Sequence, residues 1–369
     1  MNHFNRYTIQ VSFVMALLLT ACAQPPGPDI ADDPDDSVEL QLTSGTGNYG
    51  YASFSPDGTR IIYVGVAESW NADLYVMDID GGNKTNLTNR PEYYRASRYS
   101  PDGSKIVFES GTVDNIYIYI MDADGSNRTK LSTDCLSTDF FPWSRYPQFS
   151  PDGQQIAYTT APCSSPYVLG IVLVNVDGSG QQFITDTTGA EFFAYSNPIF
   201  SSDGTQILVT VLHGLTYSTD LYIIDLVGDG LMLIADALGA LDVAADDGPM
   251  FDYSPDGALI AYVPTDGGIN IVASTGGEPT VLTEGSGGYQ SPRFLKSSAG
   301  ELRIIYTLEA PDEEPDGFDV FIMNLDGSDN HEITDVGHNS DLAVSPDRSK
   351  VVYTKRSGGY TQIYIFGID

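Results

Sequence analysis

The stretch FSPDG at residues 54–58 recurs along the chain in nearly the same form. Its close copies are YSPDG at 99–103, FSPDG at 149–153, FSSDG at 200–204, YSPDG at 253–257 and VSPDR at 344–348. Pro in the second position of the turn, followed by Asp and Gly, is typical of a tight turn that ends in a left-handed residue. The repetition therefore predicts one structural unit that occurs several times.

The spacing of these turns reveals one further copy. Successive turns are 45, 50, 51 and 53 residues apart, and the last gap is 91 residues. That gap is about two repeats long, and it contains FLKSSAGELRIIY at 294–306, which aligns with FSPDGTRIIY at 54–63. We therefore count seven copies.

A second motif accompanies the first in most repeats. Examples are DLYVMDIDGGNKTNLT at 73–88, NIYIYIMDADGSNRTKLS at 115–132 and FDVFIMNLDGSDNHEIT at 318–334. Short β-rich runs on both sides of each turn predict four strands per repeat, here called A to D, with SPDG joining A to B and DxDG joining C to D. In the first repeat these strands are expected at 50–55, 60–65, 74–79 and 84–88.

The last repeat ends at TQIYIFGID (361–369) without a D strand, and VELQLT at 38–43 resembles the D strand of the first repeat. We therefore expect the N-terminal strand 38–43 to join the C-terminal blade, which would remove an exposed sheet edge. Four-stranded units that repeat every 40–50 residues or so predict a β-propeller. The predicted fold is an all-β, seven-bladed β-propeller of four-stranded blades that covers residues 38–369.

The SPDG and LYVMDxDG motifs together resemble the TolB-type propeller repeat, a relative in shape of the WD-repeat propellers. The resemblance covers about residues 38–369. TolB itself has six blades and an extra N-terminal domain, so the resemblance implies the fold rather than TolB's own partners.

The N-terminal segment reads as an export signal. Residues 1–21 contain Arg6, then an apolar run, and end in Leu-Thr-Ala before Cys22. This arrangement is that of a signal peptide, and its end resembles the lipobox of bacterial lipoproteins, in which the Cys carries the lipid. Residues 22–37 are acidic and Pro-rich, which predicts a lipid-anchored tether. Ala23 favours the outer membrane, with a periplasmic or surface-facing body; an ordinary secretory signal with an incidental Cys is the alternative.

Charge narrows the range of partners. The formal net charge is −33 at pH 7, which argues against nucleic acid and against anionic lipid surfaces. We therefore expect contact with the membrane only through the lipid on Cys22, and a monomer. A solvated acidic surface explains the charge, and no cofactor is expected.

The candidate binding surface is the face that carries the variable loops. The A–B and C–D turns share one face of a propeller, and the longer B–C and D–A connections occupy the other, where function is more often found. Aromatic and Arg side chains cluster in these connections and are common at binding hot spots. The candidates are Trp70, Tyr93, Tyr94, Arg95, Phe140, Phe141, Trp143, Arg145, Tyr146, Phe192, Phe193 and Tyr195. The alternative is that these side chains fold inward and cover their own blades.

Two cysteines remain after Cys22. Cys135 precedes the third blade and Cys163 lies in its B–C loop, so both are expected on the same face. An exported, oxidising setting permits a disulfide between them. Two free thiols are the alternative.

Catalytic and metal motifs are scarce. No Ser has Gly two residues before and two after, and His213, His331 and His338 form no HxH or HxxxH pair. The DxDG turns lack the spacing of an EF-hand and fit hairpin turns. The sequence therefore predicts a non-enzymatic scaffold that binds an envelope protein. A carbohydrate-binding or lyase-like propeller that uses the aromatic cluster to hold a glycan is the alternative.

Overall fold

In the computed structural model, seven antiparallel sheets of four strands each surround a central channel. The structure describes residues 39–66, 72–90, 92–112, 115–133, 144–161, 168–185, 192–213, 218–227, 230–238, 250–285, 288–309, 318–334, 340–357 and 359–368. The predicted signal peptide, Cys22 and the tether lie outside these residues. The prediction of an all-β, seven-bladed propeller with four-stranded blades is confirmed.

The strands, in chain order, are β1 (Leu40–Gln41), β2 (Asn48–Phe54), β3 (Arg60–Val66), β4 (Ala72–Asp78), β5 (Thr85–Asn86), β6 (Tyr93–Tyr99), β7 (Lys105–Thr112), β8 (Asn115–Asp122), β9 (Thr129–Lys130), β10 (Arg145–Phe149), β11 (Gln155–Thr160), β12 (Gly170–Asn175), β13 (Gln182–Phe183), β14 (Phe192–Phe200), β15 (Gln206–His213), β16 (Thr219–Asp225), β17 (Leu231–Leu238), β18 (Phe251–Tyr253), β19 (Leu259–Tyr262), β20 (Ile269–Ala273), β21 (Thr280–Thr283), β22 (Tyr289–Lys296), β23 (Leu302–Glu309), β24 (Phe318–Asn324), β25 (His331–Glu332), β26 (Ser340–Val344), β27 (Lys350–Ser357) and β28 (Tyr360–Gly367). Within the described part of the chain, no helix is long and apolar enough to cross a membrane.

Each of the first six blades is formed by four consecutive strands, from β2-β3-β4-β5 to β22-β23-β24-β25. The first strand of each blade, strand A, lines the channel, and the fourth, strand D, lies at the outer edge. The seventh blade has the order β26-β27-β28-β1, so its outer strand comes from the other end of the propeller. The predicted closure is therefore present, although β1 is only two residues long.

A hydroxyl group holds the outer strand in the same way in six blades. In the first blade, Thr88 Oγ1 accepts a 3.0 Å hydrogen bond from the backbone N of Leu74. At the closure, Thr43 Oγ1 accepts a 2.9 Å bond from the backbone N of Ile363. The same acceptor is provided in the other blades by Ser132, Thr185, Thr283 and Thr334. The N-terminal segment therefore makes the contact of an ordinary D strand.

The SPDG turns are held by one hydrogen-bond pattern. Ser100 Oγ donates to Asp102 Oδ1 at 2.6 Å and accepts from the backbone N of Lys105 at 2.9 Å. Asp102 Oδ1 also accepts from the backbone N of Ser104, and these bonds lower the pKa of Asp102 to about 2. The same Ser-to-Asp bond recurs at Ser55, Ser150, Ser201, Ser254 and Ser345. The repeated motif is thus a structural turn.

The seventh copy, inferred from the gap in spacing, forms a longer hairpin. Phe294 pairs with Ile304 across β22 and β23, as Phe54 pairs with Ile61 across β2 and β3. The pairing then continues to Lys296, and the turn follows at 297–301. The predicted alignment is therefore confirmed.

The hydrophobic core lies between blades. The buried side chains form seven clusters, one at each junction of neighbouring blades. At the closure, Phe54 and Ile61 of the first blade pack with Val352 and Ile363 of the seventh. Burial of apolar area is the main favourable term in folding, so each blade depends on its neighbours for stability.

Three of the C–D turns also contact the neighbouring blade, through glycine. Gly125 has φ +87°, and a Cβ added there would lie 2.6 Å from the backbone O of Leu87 in the preceding blade. The corresponding distances are 3.0 Å from Gly81 to Leu42 O and 2.4 Å from Gly327 to Leu282 O. Only glycine permits this approach of one backbone to another.

We predict that Gly125→Ala is more destabilising than Gly276→Ala. Gly276 has a similar φ of +81° with no atom within 4 Å of an added Cβ, so its replacement carries only the backbone cost of about 1–2 kcal/mol. Gly125→Ala adds a clash with Leu87. Inserting atoms into a closely packed site typically costs about 1–3 kcal/mol of stability in addition. Denaturant unfolding midpoints of the two variants measure the difference, and equal midpoints would show that the inter-blade contact is unimportant.

Candidate functional site

The innermost strands share an irregularity that shapes the channel. In six blades the register between strands A and B shifts within strand A. The shift includes the third residue before the position that Phe54 occupies in the first blade. The residue at that point has a positive φ, and five residue types occupy it in the six blades: Tyr51, Ala96, Tyr146, Asn197, Ser291 and Asp341. In the fifth blade β18 pairs with β19 without a shift. Such bulges bend a strand and redirect its side chains.

Carboxylates of one blade hold backbone amides of the next. Asp341 Oδ2 of the seventh blade accepts from the backbone N of Tyr51 at 3.1 Å. Glu109 Oε1 of the second blade accepts from the backbone N of Tyr146 at 2.7 Å, and the Glu109 side chain is buried. Asp252 Oδ2 of the fifth blade accepts from the backbone N of Phe294 at 3.0 Å. These three bonds position the inner strands relative to one another.

The channel contains a cavity of about 470 Å³. Four arginines line it, although the whole chain has only 17 Lys and Arg residues: Arg95, Arg98, Arg293 and Arg348. The acidic residues described in its lining are Glu109, Asp252 and Asp341. The channel therefore carries more positive than negative side chains among the described lining residues, in a protein with a net charge of −33.

Arg348 stands where the repeat otherwise has glycine. Its φ of 62° is close to the 68° to 72° of the glycines in the other five SPDG-like turns. The left-handed conformation costs a non-glycine residue about 1–2 kcal/mol. Its Nη1 donates to Asp252 Oδ2 at 2.8 Å and to the carbonyl O of Phe294 at 3.0 Å. One substitution in the repeat thus connects the fifth, sixth and seventh blades inside the channel.

Arg98 and Arg293 approach the channel from the second and sixth blades. Burial is the largest cause that lowers the pKa of Arg293 to about 10; Asp252 opposes this effect, and Arg98 and Arg348 add to it. Burial also lowers the pKa of Arg98, against the effect of Glu109 and Asp341. Both guanidinium groups stay charged at neutral pH, and the charge of Arg98 is one of the causes that lower the pKa of Arg293.

Arg95 forms a cluster with tyrosines near the D–A connections. Its Cζ lies 4.5 Å from the ring centroid of Tyr93 and 5.8 Å from that of Tyr51 in the neighbouring blade. All three side chains are half-buried. Cation–π contacts of this kind favour one orientation of the Arg side chain against the rings.

The structure brings some of the predicted contact residues to this site. Arg95 and Tyr146 line the cavity, and Tyr93 contacts Arg95. Phe192 and Phe193 lie in β14, but their side chains are outside the described residues. The remaining candidates outside the described residues are Trp70, Phe140, Phe141, Trp143 and the cysteines Cys22, Cys135 and Cys163.

Three predicted contact residues are buried, which is the inward-folding alternative for these side chains. The exposed fractions are 1% for Tyr94, 2% for Tyr195 and 7% for Arg145. The sequence interpretation placed them in D–A loops, whereas they lie inside the innermost strands, where side chains alternate between two faces. Tyr94 and Tyr195 point into the clusters between blades.

Sequence reasoning missed the charged residues deep in the channel. Arg98, Asp252 and Arg293 each directly precede the aromatic residue at the start of the A–B motif, a position that is uncharged in the other four repeats. Two sequence features could have indicated a charged channel. One is the charge at this repeat position, and the other is Arg in place of Gly at 348. Among the residues that the structure describes, no group of three His, Cys, Asp or Glu side chains is arranged to hold a metal ion.

The sequence pattern of the TolB beta propeller domain family matches residues 36–139 and 144–369. An uncharacterized protein of Agrobacterium fabrum is 30% identical over 158 residues, which are 42% of this chain and 51% of that protein. The chain therefore spans about half the length of this relative in the match.

Solved structures share the fold. Puromycin hydrolase is 16% identical, with a TM-score of 0.63 over 86% of this chain and 51% of that chain. The beta-propeller domain of the Trilobed protease from Pyrococcus furiosus is 14% identical, with a TM-score of 0.59 over 88% of this chain and 94% of that chain. That domain is described as having an open velcro topology, whereas here β1 completes the last blade. At these identities the similarity shows the fold alone.

We predict that restoring the repeat glycine with Arg348→Gly destabilises the protein by about 2 kcal/mol, although it removes backbone strain. The reason is that buried Asp252 loses its charged hydrogen-bond partner. In the Asp252→Asn background the same change should cost at least about 1 kcal/mol less, because the partner is already neutral. Denaturant unfolding of the four proteins in this double-mutant cycle gives the coupling, and additive costs would contradict it.

Proposed function

Because the chain belongs to the TolB beta-propeller family, we propose that it is an exported, non-enzymatic binding protein that takes up a segment of an envelope protein where the D–A connections meet the channel. The observation that carries the proposal is the cluster of Tyr51, Tyr93 and Arg95 at that end of the cavity. Aromatic and Arg side chains around a concave site are the typical composition of binding hot spots.

The geometry of the cluster supports binding without catalysis. Arg95 is held against tyrosines of two blades, so little side-chain entropy would be lost when a partner contacts it. The six bulges place residues of five different types around the channel, which suits selective recognition. The fold is also that of hydrolytic enzymes, but function depends on the site rather than on the fold.

The cellular setting follows from the N-terminal sequence. Residues 1–21 have the composition of a signal peptide, and Cys22 follows a lipobox-like Leu-Thr-Ala. We propose that Cys22 carries a lipid and that the acidic, Pro-rich segment 22–37 connects the propeller to the outer membrane. The propeller would then meet its partner within the envelope.

We expect the double variant Tyr93→Ala/Arg95→Gln to recover at least tenfold less of its envelope partner than the wild type. The test is crosslinking in cells followed by purification and quantitative mass spectrometry. The matched control is Tyr117→Ala/Lys130→Gln, which removes a cation–π pair of 4.1 Å from the same blade, away from the cavity. Equal recovery by the three proteins would reject this surface, and recovery of a glycan would favour the carbohydrate alternative.

We expect Cys22→Ser to abolish incorporation of an alkyne-labelled fatty acid, because the thiol is the attachment site. Cys163→Ser serves as the control, since it removes a thiol from the same chain and should leave labelling unchanged. Labelled Cys22→Ser protein, or unlabelled wild type, would show that the lipid anchor is absent or lies elsewhere.

A further inference from the structure

We propose that the interior of the channel binds a carboxylate group between Arg98 and Arg293. This inference rests on the proposed binding function and names the chemistry that the site recognises. The carboxylate has two sources, either a free small organic acid or an acidic residue or C-terminus of the bound segment. Guanidinium groups bind carboxylates through paired hydrogen bonds, which makes arginine suited to this task.

The charge of the lining favours an anion. Among the described residues around the cavity, four arginines face three carboxylates, which leaves one positive charge in excess. This balance holds however the side chains pair with one another. A singly charged carboxylate matches that excess, whereas a doubly charged phosphate or sulfate would make the channel net negative.

The three carboxylates of the channel are already engaged by the protein framework. Asp252 accepts from Arg348 and from the backbone N of Phe294, and its side chain is nearly buried. Asp341 and Glu109 accept from the amides of Tyr51 and Tyr146. Arg348 and Asp252 also show, at 2.8 Å, that a guanidinium and a carboxylate fit together in this space.

Arg98 and Arg293 are the arginines best placed for a ligand. They occupy the same repeat position in the second and sixth blades and line the same cavity, so both extend toward the channel axis. Burial and the positive charges of Arg98 and Arg348 both lower the pKa of Arg293. An anion between the two guanidinium groups would relieve their repulsion, and the volume of about 470 Å³ is within the range of small-ligand pockets.

The test is isothermal titration calorimetry of the full propeller at low ionic strength. The probes are acetate, succinate, sulfate, phosphate, and a pair of peptides that end in a free or an amidated C-terminus. We expect saturable binding of carboxylates that weakens as salt is added.

Arg98→Gln and Arg293→Gln should each lower the affinity about 10- to 100-fold, as expected when a charged hydrogen-bond partner is removed. Arg60→Gln is the control, because Arg60 pairs with Asp78 and does not line the cavity.

A second variant separates binding from folding. Arg98→Lys keeps the charge but loses the planar pair of donors, so its affinity should lie between those of the wild type and Arg98→Gln. Unfolding midpoints of the ligand-free proteins check that each variant is folded. Binding of acetate or succinate identifies a free acid as sufficient, and binding of the free-terminus peptide alone identifies the segment as the source; both results support the site.

Three results would overturn the inference. These are no saturable carboxylate binding by the wild type, equal affinities of the wild type and the Arg98 and Arg293 variants, or tighter binding of sulfate or phosphate than of any carboxylate. If carboxylates fail to bind but Tyr93→Ala/Arg95→Gln still loses the envelope partner, only the carboxylate site is wrong. If carboxylates bind and that double variant retains the partner, the proposed docking surface is wrong instead.

Discussion

The first, second and sixth blades touch the blade before them through C–D turns in which glycine allows two backbones to meet. The C–D turn glycines leave no room for a side chain against the backbone O of Leu42, Leu87 or Leu282. On the inner side, a Cβ added at Gly103 would lie 3.3 Å from Pro56 of the preceding SPDG turn. Contacts at both the inner and the outer turn therefore help to hold neighbouring sheets against one another.

Because the repeat is regular, residues that depart from its pattern are informative. Arg348 replaces a turn glycine, and its side chain contacts the two preceding blades through Asp252 and Phe294. The fifth blade, which supplies Asp252, has no bulge in its described inner strand, and in the sixth the A–B pairing extends two residues further, to Lys296. Three irregular blades in sequence thus meet at one point of the channel.

The sequence was sufficient for the fold because its signals are local and repeated. Each SPDG or DxDG motif specifies a turn through neighbouring residues, and seven copies reinforce one another. The hidden hairpin at 294–306 and the D strand at the N-terminus could be aligned by the same patterns, and Thr43 repeats the bond made by Thr88.

The bulges could not be predicted, because Tyr51, Ala96, Asn197 and Ser291 share no residue type. Their conformation comes from packing around the channel. Without knowledge of the bulges, the sequence did not show which face of the strand each side chain occupies. Tyr94 and Arg95 were therefore both assigned to the binding surface, although Tyr94 is buried and Arg95 lines the cavity.

The acidic surface and the basic channel depend on one another. Placing arginines in a poorly hydrated channel is unfavourable in isolation, as the lowered pKa of Arg98 indicates. The carboxylates of the channel lower this cost, as Glu109 and Asp341 do for Arg98, since unlike charges attract over several ångströms. The formal net charge of the whole chain, −33, repels free multivalent anions from the surroundings. If the proposed carboxylate site exists, we expect a ligand whose anionic group is carried on a neutral or cationic body to approach Arg98 and Arg293 more readily than a free multivalent anion.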